Sequence, residues 1–176
     1  TVTEAAAGAY TLNTTTGNRS ARQQVGGVAS VAPHYPFTNV PGTGIVGSES
    51  YRAAVARQVT SDFQFSRAAV NYVWEKLMVE AFVSPSNGFD PDRLDPSSPL
   101  PEGWSLQPTN AQLLNQLAFY FQQSRYDLRA LISAIVKSNA YQLSSRYPAD
   151  EWKAEYVPYY ARHFVRRLDA EEIHDA

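Results

Sequence analysis

The stretch DFQFSRAAVNYVWEKLMVEAFV, residues 62–83, limits this chain more than any other. Phe63, Val70, Trp74, Leu77 and Ala81 recur at steps of three, four and seven, which puts them on one stripe of an α-helix. A helix with one apolar stripe must bury it against another element, so the fold needs helical partners. The spacing predicts a helix that runs until the chain reaches Pro85. Trp74 is expected in the core, packed on helices around Leu117 and Ile132.

The partners are legible downstream. NAQLLNQLAFYFQQS carries Leu114, Leu117, Ala118 and Phe121 on one face, and Thr109 with Gln112 forms a capping box at its start. YDLRALISAIVKSNAYQLS repeats the pattern with Leu128, Leu131, Ile132, Ile135 and Val136. Upstream, SESYRAAVARQVT offers cap serines and then Tyr51, Val55 and Val59 at four-residue steps. DEWKAEYVPYYARHF reads as helical up to Pro158, which ends or kinks it. Residues 84–108 form a proline-rich loop, long for a compact domain. Residues 1–47 have too many Gly, Pro, Thr and Asn for a long element; AYTLNTTTGNR reads as a short strand entering a turn at Gly17-Asn18. The expected fold is therefore all-α: an irregular bundle of about five helices, with an extended N-terminal lead over 1–47 and a helical domain over 48–176.

The last residues, RRLDAEEIHDA, hold a second capping box, Asp169 with Glu172. Leu168 before the cap and Ile173 inside the helix are placed to staple its entry. A helix of barely two turns is unstable alone, so the expectation is a domain truncated at its C-terminal end, with the helix continuing in a longer parent.

Composition narrows the chemistry. A formal net charge of -2 provides no basic field for nucleic acid. The absence of cysteine excludes disulfides, thiolate metal sites and iron–sulfur clusters within these residues. No apolar run approaches the roughly 20 residues of a transmembrane segment, and the opening TVTEAAAGAY has no basic start or apolar stretch of a signal peptide.

Three stretches in order, FSRAAVNYVWEKLM, LLNQLAFYFQQSRYDLRALISAIVKSNAYQLSSR and RRLDAEEIHDA, resemble the C-terminal domain of large secreted bacterial proteins that carry a planctomycete-type cytochrome c domain, domain of unknown function 1553. The resemblance covers roughly residues 48–176. It implies a mostly helical module, export from the cytoplasm (periplasmic or extracellular), and an association with polysaccharide breakdown. It supplies no catalytic residue. The family commonly reads Asn-Arg-Val-Trp where this chain has Asn71-Tyr72-Val73-Trp74, a departure that speaks against a need for a basic residue at position 72.

Candidate sites are few. Arg67, Asn71 and Glu75 form a polar row at four-residue spacing; Arg67 could bind an anion and Glu75 act as acid or base, or the row could tie the helix to a neighbouring loop. His163, with Arg162, Arg166 and Arg167, is an anion-facing cluster, or a set of ion pairs to Asp169, Glu171 and Glu172. Asp90, Asp92 and Asp95 offer carboxylates to a hard cation, although Asp-Pro pairs are also ordinary turn chemistry. Glu171 and His174 have the Glu-x-x-His spacing of a metal-binding helix but lack partner carboxylates in the sequence. Tyr141, Tyr147, Trp152, Tyr156, Tyr159 and Tyr160 could stack on sugars or fill a core. The expectation is a non-catalytic structural or interaction module, with no cofactor of its own, docking onto other domains of the same parent chain. A part of a carbohydrate-active hydrolase or lyase using Arg67, Glu75 and His163 is one alternative. A carbohydrate-binding module using the 141–160 aromatics is the other.

Overall fold

In a computed structural model of the chain, the residues described are 10–11, 30–31, 34–36 and 44–175. They are all-α apart from a two-residue antiparallel pairing of β1 (Tyr10–Thr11) with β2 (Ser30–Val31). The turn expected at Gly17-Asn18 lies outside the described residues. The chain divides into two compact units, Thr1–Asp62 and Phe63–Ala176.

In the first unit, α1 (Tyr51–Ser61) is capped by Ser50, whose hydroxyl accepts from the Ala53 N–H at 3.2 Å. The side chains it buries are Ala54 and Gln58, so the Tyr51/Val55/Val59 stripe is corrected by a quarter-turn, with Val55 in solvent. The cause is the segment before the helix. Gly44 sits against Gln58 so closely that a Cβ there would lie 2.5 Å from its Nε2, and the Gly44 carbonyl accepts from Arg57 Nη2 at 2.7 Å. With φ at +66°, this is a position for glycine.

The second unit has α2 (Phe63–Met78), α3 (Ala111–Gln123), α4 (Leu128–Val136) and α5 (Ala170–Asp175). Within it, α2, α3 and α4 pack on one another pairwise and α5 packs on none of them. The core joins Val70, Trp74 and Met78 to Leu114, Ala118 and Phe121 of α3 and Leu131 and Ile135 of α4. Trp74 is 3% exposed, as its place on the stripe predicts. Its ring neighbours are Phe82 at 4.4 Å and Tyr160 at 5.2 Å, both from outside the helices, while Ile132 faces outward at 37% exposure.

α2 ends earlier than expected, at Met78 rather than before Pro85. Val79 takes φ +73°, and its N–H still reaches the Glu75 carbonyl at 2.8 Å, so the helix closes on a left-handed residue. The turn lets Phe82 and Val83 fold back into the core. At α3 the cap is Asn110, whose side chain accepts from the Leu113 N–H at 3.0 Å; Thr109 instead donates its N–H to the Phe82 carbonyl at 2.8 Å. Asp127 caps α4 through the Ala130 N–H at 3.0 Å. The aromatic stretch before the C-terminus forms a 3-10 helix, Ala154–Tyr159, that contains Pro158. Pro158 has no N–H to give, and the turns that flank it close through the backbone N–H groups of Tyr156, to Lys153, and Tyr160, to Val157. No described helix is long and apolar enough to cross a membrane.

Candidate functional site

The row on α2 divides among three tasks. Asn71 is fully buried and uses its whole amide on the chain after the helix: its Nδ2 donates to the carbonyls of Val83 (3.0 Å) and Ser86 (3.3 Å), and its Oδ1 accepts from the Val83 N–H at 3.1 Å. It is the tie to a loop that one reading of the row gives. Arg67 donates from Nε to Asn115 Oδ1 of α3 at 2.8 Å, and its guanidinium lies 4.6 Å from the Phe63 ring centroid. Glu75 turns to a different surface.

That surface is an open depression of about 400 Å³ lined by Tyr72, Glu75, Lys76, Val79, Arg166, Arg167 and Asp169. The structure thus brings Glu75 together with Arg166 and Arg167, but Arg67 and His163 do not line it. Two ion pairs hold its rim. Lys76 Nζ pairs with Asp169 Oδ2, joining α2 to the start of α5. Arg166 grips Glu172 in a fork, Nη1 to Oε2 and Nη2 to Oε1, each 2.7 Å. Glu172 also accepts from the Asp169 N–H at 2.9 Å, which is one half of the expected capping box. These hydrogen bonds, first from Arg166 and then from the Asp169 amide, hold the Glu172 carboxyl down at about 2. Asp169 spends its own carboxylate on Lys76. Leu168 and Ile173, the expected staple pair, are both half or more exposed.

His163 lies elsewhere, its ring edge-on to Tyr141 with centroids 4.9 Å apart and its backbone N–H donating to the Ser144 carbonyl at 3.2 Å. Its Nδ1 is buried with no protein partner. Arg162 caps the Trp152 ring at 4.0 Å. The aromatics of 141–160 separate into two groups. Tyr160 is buried against Trp74 and Phe82, its hydroxyl donates to the Glu80 carbonyl at 3.1 Å, and burial pushes its phenol pKa up. Tyr147, Trp152 and Tyr156 contact one another at interplanar angles of 74°, 50° and 79°, a mutual cluster rather than a flat row. Tyr159 alone of the six is fully in solvent.

Two of the three loop carboxylates serve the loop. Asp90 accepts from the Asp92 N–H at 3.2 Å and caps a 3-10 turn, Pro91–Arg93. Asp95 accepts from the Ser97 hydroxyl at 2.7 Å and N–H at 2.9 Å, which lower its pKa, with the Arg67 charge adding to the effect. Gln107 donates to the Gly88 carbonyl (2.6 Å) and accepts from the Asp90 N–H (2.8 Å), and Leu94 is buried in the core. Glu171 and His174 flank a shallow, exposed surface on α5. Among the described residues, no three His, Asp or Glu side chains gather as a metal site. Gln107 and Lys76 gave no signal in the sequence beyond ordinary polar spacing, because their side-chain partners are 17 to 93 positions away; the Arg166–Glu172 pair is one of the ion pairs that the sequence offered.

The fold and these contacts define an all-α domain whose amides and charges mostly hold its own loops and helix ends. The chain belongs to the family described as protein of unknown function DUF1553, whose model matches residues 51–176. No curated protein and no solved structure matches it.

Proposed function

We propose that this chain is a structural or interaction module of a larger exported bacterial protein linked to polysaccharide breakdown, and that it docks onto another domain of that protein. The observation that carries the reading is the surface beside the depression. Val165 is 81% exposed and Ile173 63%, with Leu168 and Tyr72 each about half exposed, all within four positions of Lys76 or Asp169 in the chain. Apolar side chains grouped around a charged rim suit a protein interface. Of the three catalytic candidates, Arg67 has a structural task, tying α2 to α3, and the buried Asn71 beside it ties a loop.

The test is a pair of denaturant titrations, one on this chain and one on a longer chain of the same gene that includes neighbouring domains. The reading predicts a higher midpoint for these residues in the longer chain, with slowed amide exchange over 165–175. Equal midpoints and equal exchange would refute docking on this face.

A further inference from the structure

The loop between α2 and α3 encloses a second cleft, of about 330 Å³, between the 3-10 turn at Pro91 and the chain at Pro99–Trp104. Its chemistry is one-sided. The Trp104 indole, 51% exposed, offers an aromatic face, and prolines including Pro99 and Pro101 supply rigid apolar walls. The polar lining consists of Asp92, Asp95 and Ser98, with no Lys, Arg, His, Asn or Gln among the lining residues. The turn uses the Asp92 N–H, and among the described residues the Asp92 carboxylate accepts no hydrogen bond. Arg93, with its guanidinium 5.9 Å from the Trp104 centroid, lines the neighbouring depression with Gly103 and Ser105 and donates to the Ser105 carbonyl at 2.9 Å.

The walls are also fixed in place. The Gln107 backbone N–H donates to the Arg93 carbonyl at 2.9 Å and the Trp104 backbone N–H to the Pro101 carbonyl at 3.1 Å. Buried Leu94 anchors the loop from within. A cleft held this way loses little freedom on binding. Its acceptor-rich, anionic, partly aromatic lining complements a group that only donates and carries positive charge on an apolar stem. A neutral sugar would need donors as well as acceptors, and a bare metal ion gains nothing from an indole and three prolines.

We propose that this cleft binds the basic side chain of a polypeptide, a lysine ammonium or arginine guanidinium, with Trp104 against the stem and charge, and Asp92 and Asp95 as counter-ions. The proposal is independent of docking through α5.

The test follows the Trp104 indole N–H by NMR in the whole chain, assigned with Trp104→Phe. The probes are N-acetyl-lysine methylamide, N-acetyl-arginine methylamide, the norleucine isostere, calcium chloride and cellobiose. The two basic probes should shift the Trp104 resonance saturably, and norleucine should bind at least about tenfold more weakly. Asp92→Asn should weaken lysine binding about threefold or more, by loss of one counter-charge at a partly exposed site. It should leave the denaturation midpoint in place, because that carboxylate holds no other described residue. Norleucine binding as well as lysine, saturation by calcium alone, saturation by cellobiose alone, or no saturation by any probe would each overturn the proposal.

Discussion

The α2–α4 core and the α5 end of the second unit are held by different forces. In the core, Trp74, Val70, Leu114 and Leu131 are out of water, and the one buried amide, Asn71, has its partners. At the other end, α5 buries no residue. It is held by the Lys76–Asp169 pair and the Arg166–Glu172 fork, both at least partly in solvent. Apolar burial is nearly indifferent to salt, whereas exposed ion pairs are screened and contribute little. The core should therefore unfold as one cooperative unit while α5 opens on its own.

The sharpest way to break that contrast is Trp74→Ala. It empties a site bounded by Phe82 and Tyr160 and should cost roughly 3–5 kcal/mol, read as a lowered denaturant midpoint with unchanged slope. A loss below about 1 kcal/mol would mean that the core does not rest on this ring. Asn71→Leu comes next. It keeps the volume but strands the Val83 N–H and carbonyl, which should cost about 2–4 kcal/mol for two unsatisfied buried groups. A neutral result would show that the loop after α2 finds other partners. Ile173→Ser, on an exposed face of α5, should move the global midpoint by less than about 0.5 kcal/mol. A larger loss would put Ile173 in a contact within the chain.

Acid should separate the regions further. The folded Glu172 carboxyl sits at about 2, below its ordinary 4.5, so what it adds to α5 is complete above that ordinary value. It is lost as the pH falls from there through about 2. Amide exchange in α5 should speed up across that window before the core's far-UV signal changes. Glu172→Gln should abolish the acid dependence; its persistence would assign it to another carboxylate.

The same division explains what could be read from the sequence. Stripes on α2 and α3 were legible because one apolar core fixes both, and Trp74, Leu114 and Phe121 are buried where their spacing places them. α1 was misread because Gly44, seven residues before the helix, chooses Gln58 as the inward side chain. On α4, Leu128 and Ile132 belong to the apolar stripe yet face outward, since a nine-residue helix on two neighbours buries a narrower face. The end of α2 depended on Val79 adopting a left-handed turn, for which valine gives no local signal. The candidate sites were less legible than the helices. Glu75 meets Arg166 and Arg167 from 91 and 92 positions away, and no periodicity reports a meeting at that distance.

The most direct test of the two-force account is residue-resolved amide exchange at low and high salt. The Ile173 N–H, bonded to the Asp169 carbonyl at 2.9 Å, reports α5, and the Leu131 N–H, bonded to the Asp127 carbonyl at 3.1 Å, reports the core. The account predicts fast exchange at Ile173 that rises further with salt, against slow and salt-indifferent exchange at Leu131. Equal protection of the two amides, unchanged by salt, would contradict it.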